Sequence, residues 1–280
     1  MITGRFAPSP TGPLHFGSLV AAAGSWLFAR AAGGRWLVRI EDLDAPRVVP
    51  GSVEEIMEAL RRCGLDWDGA VVRQSQRTAL YDAALQQLRA RGLVYDCGCS
   101  RADLRRAASA PLGSEPPYPG TCRNGLPPGR AARAVRFRAP DEVIAFDDAI
   151  LGRVEENVAR ATGDFIVRRA DGPYAYQFAV IVDDAEQGVN QVVRGADLLR
   201  STPRQIALQR ALGLPTPSYA HLPLVVRPDG SKIGKRDGAF PLPPLSAALR
   251  VLGIEADSMH EALVRFDPKR IPTTSVTMLP

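Results

Sequence analysis

The sequence predicts an α/β protein built on a parallel sheet, because apolar strand segments alternate with helical segments along most of the chain. Residues 2–7 and 35–40 are short apolar runs typical of buried strands, and the alanine-rich residues 18–30 between them predict a buried helix. Gly33 and Gly34 end that helix. A strand, a helix and a strand in this order predict a crossover unit, with ligands beyond the carboxyl ends of the strands.

The same alternation continues downstream. Further helices are predicted at 52–60, 78–91, 202–212, 245–252 and 259–266, and further strands at 71–72, 189–193 and 222–226. Pro203 suits the first turn of its helix, where the missing N–H is not needed. Residues 97–133 interrupt the pattern, because they are rich in Pro, Gly and Arg, and they predict an inserted segment with little apolar core.

The composition is that of a globular protein, with 280 residues, 45% apolar and 23% charged. No apolar run approaches the ~20 residues of a membrane span, and the chain opens without a basic, apolar leader. We therefore expect a cytoplasmic protein without a membrane partner. We also expect a monomer, although no feature of the sequence determines the oligomeric state. The net charge of +5 suits a polyanion such as RNA, although a solvated arginine-rich surface would explain it equally well.

The most informative motif lies where the first predicted strand meets the first predicted helix. Residues 5–18 read Arg-Phe-Ala-Pro-Ser-Pro-Thr-Gly-Pro-Leu-His-Phe-Gly-Ser. Gly17 lets a base or ribose approach the backbone, and the helix N-terminus offers free N–H groups to phosphates. His15 can donate a hydrogen bond to a phosphate oxygen. A proline-rich turn capped by His15 would explain the same residues without a nucleotide.

This segment resembles the first signature of class I aminoacyl-tRNA synthetases, in the wording of the glutamyl-tRNA synthetase family. That family has a second signature downstream, a lysine loop, and this chain has Lys232 and Lys235 in the matching place. The family usually has serine where this chain has Gly234, which alters the backbone of the loop but leaves both lysines. The resemblance covers residues 1–240 and implies a Rossmann-type catalytic core with a parallel sheet.

The resemblance implies an enzyme that uses ATP and Mg²⁺ to activate glutamate as glutamyl-adenylate. It implies ATP contacts from Pro8, His15, Gly17, Ser18, Lys232 and Lys235. Its catalytic residues would be His15, Lys232 and Lys235. The chemistry needs the lysines, because attack of a carboxylate on the α-phosphate builds negative charge that a preplaced ammonium stabilises.

A glutamate site needs cations for two carboxylates and an anion for one ammonium. The resemblance assigns to it Arg5, Phe6, Ala7, Pro8, Ser9, Glu41, Tyr176 and Arg194. Arg5 and Arg194 can bind carboxylates bidentately, and Glu41 can pair with the ammonium. A structural ion-pair network would be the alternative explanation for these three. A guanidinium left beside the neutral amide of glutamine would be partly unpaired, so charge favours glutamate.

Three of the four cysteines, Cys97, Cys99 and Cys122, lie in the inserted segment. In a reducing compartment such a cluster indicates metal ligands before disulfides. Zinc takes four ligands, and water, Asp96 or Tyr118 could supply the fourth. Zinc-binding relatives in the family have the same Cys-x-Cys…Tyr-x-x-x-Cys pattern, so the resemblance implies one structural Zn²⁺ held with Tyr118. Three reduced thiols in a loop are the alternative.

The predicted organisation has four parts. These are 1–96 and 175–240 as the halves of the catalytic domain, 97–174 as an inserted module with its zinc site at 97–122, and 241–280 as a short helical C-terminal segment. No anticodon-binding domain is expected after the lysine loop, unlike in a full glutamyl-tRNA synthetase.

That shortened organisation resembles the family members that activate glutamate without tRNA and place it on queuosine in the anticodon loop of tRNA(Asp). The implied partner is therefore tRNA(Asp) bearing queuosine. The alternatives are a minimal synthetase that charges the 3′ end of tRNA(Glu), and a non-catalytic nucleotide- or RNA-binding module.

Overall fold

A computed structural model describes residues 1–100, 102–103, 117–231 and 242–277. Its helices are α1 Phe16–Ala31, α2 Ser52–Arg62, α3 Thr78–Ala90, α4 Val158–Ala161, α5 Tyr176–Glu186, α6 Thr202–Leu212, α7 Leu245–Val251 and α8 Met259–Arg265. Its strands are β1 Thr3–Phe6, β2 Arg35–Ile40, β3 Val72–Arg73, β4 Val94–Cys97, β5 Ala134–Phe137, β6 Val143–Asp148, β7 Gly152–Asn157, β8 Phe165–Arg168, β9 Gln191–Gly195, β10 Ser218–Leu222, β11 Val225–Val226 and β12 Val276–Thr277.

Two groups of parallel strands lie side by side in the main sheet. One group pairs in the order β1-β2-β3, and the other in the order β9-β10-β6 with antiparallel β7 at its edge. Asn190 joins the groups, because its N–H donates to Thr3 O at 3.1 Å and its Oδ1 accepts from the Thr3 N–H at 2.8 Å. The order across the sheet is therefore β3-β2-β1-β9-β10-β6-β7, which confirms the predicted parallel α/β sheet.

Helix α1 forms the centre of the larger apolar core. Its nearly all-apolar sequence is buried around most of the helix, as at Leu19, because the helix packs against both the sheet and α7 and α8. Gly24 allows the close approach to β10, since a Cβ there would lie 2.5 Å from Leu222 Cδ1. Phe28 and Phe266, just after α8, meet edge to face with ring centroids 5.2 Å apart. None of the helices that the structure describes is long and apolar enough to cross a membrane.

A second, antiparallel sheet of β4, β5 and β8 lies partly within the predicted inserted module. Its buried residues, such as Phe137 and Phe165, join an apolar cluster shared with α3, α5 and α6. Strand β6, from the same stretch of sequence, pairs instead with β10 in the main sheet. The predicted domain limits at residues 96, 174 and 240 stay a prediction.

The predicted strand at 222–226 is wrong. The parallel strand β10 ends at Leu222, because Pro223 cannot donate a ladder hydrogen bond. Val225 and Val226 form the separate strand β11, which pairs with β12. Strand β3 begins at Val72, one residue later than the predicted strand at 71–72.

Candidate active site and metal centre

A cavity of about 260 Å³ opens where β1, β9 and β10 end and α1 begins. Its wall contains most of the predicted nucleotide and amino-acid residues: Arg5, Phe6, Ala7, Pro8, Ser9, His15, Gly17, Ser18, Tyr176 and Arg194. Carboxyl ends of parallel strands are where α/β sheets bind ligands. Glu41 is not in this wall, although its N–H donates to Pro8 O at 2.9 Å. Asp197, after β9, lines the cavity and was missed by sequence reasoning.

His15 caps helix α1. Its Nδ1 accepts a hydrogen bond from the Ser18 N–H at 3.2 Å, as in the alternative explanation of the motif. In a neutral imidazole this leaves the proton on Nε2, the ring atom that can donate. His15 can therefore cap the helix and bind a ligand in the cavity at the same time, because Nδ1 accepts from Ser18 and Nε2 is left for the ligand.

Arg5 lies in a buried ionic network beneath the cavity. Its Nε and Nη2 donate to the two carboxylate oxygens of Asp184 at 3.1 and 3.3 Å. The fully buried Arg39 contacts the same carboxylate at 2.8 Å. Burial would raise the pKa of Asp184, but the two arginines outweigh it and lower that pKa. Arg5 therefore does belong to a structural ion-pair network, which was the alternative explanation for this residue. It also lines the cavity.

Asp183, the neighbour of Asp184, is a second anion of this network and is fully buried. It accepts hydrogen bonds from Arg77 at 2.6 Å, Gln74 at 2.7 Å and Tyr81 at 2.8 Å. Sequence reasoning missed both aspartates. Their signal was a pair of acids in an otherwise apolar stretch, which indicates buried and therefore paired carboxylates.

The Glu41 side chain is only 8% exposed and lies 3.5 Å from Arg39 Nη2. Burial raises its pKa to about 7, although attraction to Arg39 and Arg5 acts in the opposite direction. Asp183 and Asp184 add to the increase through charge repulsion. The carboxyl can therefore exchange a proton near neutral pH.

Arg194 is buried at the end of β9, and its guanidinium donates to four side chains. Nη1 donates to Tyr176 OH at 3.2 Å, and Nη2 donates to Thr202 Oγ1 and Gln205 Oε1, both at 2.8 Å. Nε donates to His221 Nε2 at 3.2 Å. Four fixed partners leave the guanidinium little rotational freedom.

His221 in turn contacts Asp148, with Nδ1 and Oδ2 2.6 Å apart. Both side chains are fully buried. Burial lowers the pKa of His221, although the Asp148 carboxylate opposes the shift, so the imidazole is neutral at pH 7. Sequence reasoning missed this pair, although a histidine within the apolar run 219–222 is a signal that could have been followed.

The three predicted thiol ligands converge. The Sγ atoms of Cys97, Cys99 and Cys122 lie within 4.8 Å of one another, with Cys99 and Cys122 3.6 Å apart. Tyr118 OH lies 3.5 Å from Cys97 Sγ and 3.6 Å from Cys99 Sγ. Ligands in a tetrahedral thiolate site with bonds of ~2.3 Å are separated by about 3.8 Å. The cysteine triad can therefore hold a metal ion, and Tyr118 is close enough to take part.

Arg136 and Gly163 support this cluster. The Arg136 guanidinium lies 3.7 Å from the centre of the Tyr118 ring, and its Nε donates to Cys97 Sγ at 3.3 Å. Burial acts to raise the pKa of the Cys97 thiol, but hydrogen bonds from Tyr118 and Arg136 outweigh it and lower the pKa. A Cβ on Gly163, at a φ of 71°, would lie 2.7 Å from Tyr118 N, so only glycine fits.

The predicted lysine loop, with Lys232 and Lys235, lies outside the described residues. The turn before it is described: the Ser231 N–H donates to Asp229 Oδ1 at 2.8 Å, and the Arg227 N–H donates to Ser231 O at 2.8 Å. This turn follows β11, whose Val225 lines the cavity. The roles of the two lysines stay a prediction.

Comparison with known proteins identifies the family. The family model described as tRNA synthetases class I (E and Q), catalytic domain, matches residues 1–242. The Glutamyl-Q tRNA(Asp) synthetase of Geobacter sulfurreducens is 52% identical over 297 aligned positions, which cover 98% of this chain and 95% of that protein. The chain belongs to the glutamyl-Q tRNA(Asp) synthetase family of class I tRNA synthetases. The Thiobacillus denitrificans member is 58% identical over 89% of this chain and 85% of its own.

Solved structures of similar proteins agree with this family. A glutamate tRNA ligase from Elizabethkingia meningosepticum, in complex with its amino acid, matches with a TM-score of 0.81 and 29% identity. That match covers 99% of this chain and 66% of the ligase, so the chain spans about two thirds of the ligase's length. The glutamate–tRNA synthetase of Elizabethkingia anophelis matches with a TM-score of 0.84 and 30% identity, over 99% of this chain and 68% of its own. The predicted class I catalytic core is confirmed.

Proposed function

We propose that this protein converts ATP and L-glutamate to glutamyl-adenylate without tRNA, and then transfers the glutamate to queuosine in the anticodon loop of tRNA(Asp). The observation that carries the first step is the cavity in which Arg5, Arg194 and Tyr176 face the N-terminus of α1. The name of the relatives, Glutamyl-Q tRNA(Asp) synthetase, supports the acceptor.

Arg194 supplies the cation for a glutamate carboxylate. Among the described residues, its hydrogen-bond partners are uncharged side chains, whereas Arg5 is paired with Asp184 at 3.1 Å. A buried guanidinium without a carboxylate partner is costly, and a substrate carboxylate removes that cost. The amide of glutamine would leave the charge unpaired, so glutamate is the favoured substrate.

Glu41 pairs with the substrate ammonium. Its backbone N–H donates to Pro8 O, and Pro8 lines the cavity, which supports a place for the carboxyl near the bound amino acid. Ser9 and the segment Phe6–Pro8 contact the rest of the amino acid from the first turn, and Tyr176 donates to its carboxylate. The protein's own contacts fix these side chains, which supports activation without tRNA.

ATP lies along the start of α1. Gly17 and Ser18 form the first turn of that helix, whose free N–H groups suit phosphate oxygens. His15 donates from Nε2, and Pro8 contacts the nucleotide from the opposite side of the turn. The family resemblance assigns phosphate contacts to Lys232 and Lys235, and Mg²⁺ bound with ATP would supply further positive charge to the phosphates.

The reaction has two steps. A carboxylate oxygen of glutamate attacks the α-phosphorus, the bond to the bridging oxygen breaks, and pyrophosphate leaves; Mg²⁺, when bound, would offset the charge of the pyrophosphate. Lys235 stabilises the charge that develops at the α-phosphate more than it stabilises bound ATP. A hydroxyl of the queuosine cyclopentene diol then attacks the activated carbonyl and AMP leaves. Neither step needs a covalent bond to the enzyme.

We propose that the metal at the cysteine triad is one structural Zn²⁺ held by Cys97, Cys99, Cys122 and Tyr118. Thiolates are preferred zinc ligands, and the sulfur separations suit a tetrahedral ion. When bound, the ion would crosslink the segment from β4 to Cys122. Arg136 would offset part of the negative charge of the ligands.

The decisive experiment follows labelled glutamate. The protein is incubated with ATP, labelled glutamate and tRNA(Asp) with or without queuosine, with an isolated queuosine-bearing stem-loop as a further substrate. We expect the label in the anticodon stem-loop, and we expect the stem-loop alone to suffice because its bases are splayed and accessible. Pyrophosphate exchange measured without tRNA tests the first step separately.

The controls distinguish the other functions. Deleting the 3′ CCA end is the matched control, because periodate would also oxidise the queuosine diol. Labelling that needs CCA, or that is equal without queuosine, would favour a minimal tRNA(Glu) synthetase. No glutamate-dependent exchange at all would favour a non-catalytic RNA-binding module. We further propose a monomeric cytoplasmic protein, to be checked by sedimentation and cell fractionation.

A further inference from the structure

The buried pair Asp148–His221 is not used by any step above, yet it contacts a residue of the proposed glutamate site. His221 lies opposite Arg194 in the parallel pairing of β10 with β9, and Asp148 ends the neighbouring strand β6. The three side chains form one line of hydrogen bonds across three adjacent strands, from Asp148 Oδ2 through the imidazole to Arg194 Nε. These hydrogen bonds fix the orientation of the Arg194 guanidinium.

The direction of each hydrogen bond follows from the chemistry of the groups. Arg194 Nε is always a donor, because the guanidinium stays protonated. His221 Nε2 must therefore accept, so the imidazole carries its proton on Nδ1 and donates it to Asp148. Burial lowers the pKa of His221, which favours the neutral ring that this pair of hydrogen bonds requires.

Asp148 is itself held by the backbone. Its Oδ1 accepts from the N–H groups of Ile150 at 3.0 Å, Leu151 at 2.9 Å and His221 at 3.2 Å. Only Oδ2 is directed to the imidazole. The carboxylate therefore cannot rotate to present a different edge to His221.

The arrangement also keeps the charge of the Asp148 carboxylate away from Arg194. Arg5 contacts Asp184 directly, which neutralises much of its charge. Arg194 is instead separated from Asp148 by a neutral ring, so it is oriented without being neutralised. A buried cation held in this way remains available to a carboxylate ligand.

We propose that Asp148 and His221 are positioning residues that fix the orientation of Arg194 for a substrate carboxylate, through the Nδ1–H tautomer of His221. This inference rests on the proposed function, because it takes that carboxylate to belong to glutamate. Neither residue lines the cavity, so both act through Arg194, which His221 reaches directly and by way of Thr202 Oγ1, 3.2 Å from its Nε2.

The test compares variants that differ in one hydrogen bond. His221→Asn keeps a donor towards Asp148 but has no acceptor for Arg194, whereas His221→Gln offers an oxygen near the Nε2 position. In pyrophosphate exchange, we expect His221→Asn to raise KM for glutamate by about tenfold or more, the factor expected for a lost hydrogen bond to a charged group. KM for ATP should stay within about twofold, and His221→Gln should restore KM for glutamate to within a few-fold of wild type.

A second variant leaves His221 in place. In Asp148→Asn, the amide oxygen must keep the three backbone N–H groups, so its NH₂ faces His221 and forces the proton to Nε2, opposite the Arg194 donor. We expect the same rise in KM for glutamate as with His221→Asn. Tyr219→Phe is the matched control, because Tyr219 is in the same strand and, within the described part of the chain, its OH hydrogen-bonds only to Gln209. The variant keeps the ring, whose centre lies 5.7 Å from the Arg194 guanidinium. It should leave both KM values unchanged.

Two readouts separate this inference from the proposed function. ¹⁵N NMR of labelled histidine reports the tautomer of His221 directly, and a proton on Nε2 in the wild type would overturn the inference even if every variant unfolds. Unchanged KM for glutamate in folded Asp148→Asn, or an equal rise in both KM values, would also overturn it. Absence of glutamate-dependent exchange in the wild type would instead refute the proposed function.

Discussion

Glu41 should make glutamate binding depend on pH near neutrality. Its side chain is 8% exposed, and burial raises its pKa from 4.5 to about 7 against the attraction of Arg39 and Arg5. The ammonium of glutamate pairs only with the ionised carboxylate. Below about pH 7 binding must therefore expel a proton, and above it the carboxylate is already ionised.

The expected size follows from this pKa. About nine-tenths of the carboxyl is ionised at pH 8 and about one-tenth at pH 6, since the ratio changes tenfold per unit. KM for glutamate in pyrophosphate exchange should thus be about tenfold higher at pH 6 than at pH 8, with little change in KM for ATP. Calorimetry in buffers of different ionisation enthalpy should detect the released proton near pH 6.5.

The matched variant is Glu41→Gln, which cannot ionise. It should have a high KM for glutamate at every pH and no slope between pH 6 and 8. A flat wild-type profile, or a tenfold dependence that survives in Glu41→Gln, would refute the reasoning. The stability of the free protein depends on pH in the opposite direction to glutamate binding. Because the pKa of the Glu41 carboxyl is raised on folding, this group stabilises the folded state fully below pH 4.5, and the contribution is lost as the pH rises through about 7.

Three further outcomes are expected. Lys235→Ala should reduce pyrophosphate exchange at least about 100-fold with an unchanged unfolding midpoint, because it removes charge stabilisation in the transition state; activity within a few-fold of wild type would contradict its assignment. Elemental analysis should find about one zinc per chain, and none in the double variant Cys97→Ser/Cys99→Ser; equal metal in both would exclude the triad. Asp183→Asn should lower the free energy of unfolding in urea by about 3–5 kcal/mol, because it removes the buried counter-charge of Arg77 and one of those of Arg39, which keeps Asp184. A loss below about 1 kcal/mol would mean that the network behaves like surface ion pairs.

The sequence predicts best those elements whose burial is uniform. Helix α1 is apolar on nearly every face, and α6 has Pro203 in its first turn, so both follow from residue types alone. The other predicted helices agree with the structure to within two residues at each end. Strand β10 was placed wrongly because its buried His221 does not have the apolar character of a central strand.

The motif in the first turn and the family resemblance also located most of the cavity residues, including Arg194 at the end of β9. Sequence reasoning missed the partners that orient them. Asp184 lies 179 residues from Arg5, and His221 lies 73 residues from Asp148, so only the sheet order brings each pair together. Helix α5 was missed for a related reason, because its apolar run also suits a strand.

The adjacency of Thr3 and Asn190 has a consequence for synthesis on the ribosome. Strand β1 is made well before its neighbour β9, because Asn190, which joins the two, follows Thr3 by 187 residues. At roughly 5–20 residues per second, β1 and the apolar face of α1 wait about 10–40 s for the second half of the sheet. During that interval Arg5 has no Asp184 to pair with, and an unpaired strand edge can join a wrong partner. Slower translation of residues 97–190 should therefore lengthen the exposure of this edge and increase the need for a chaperone.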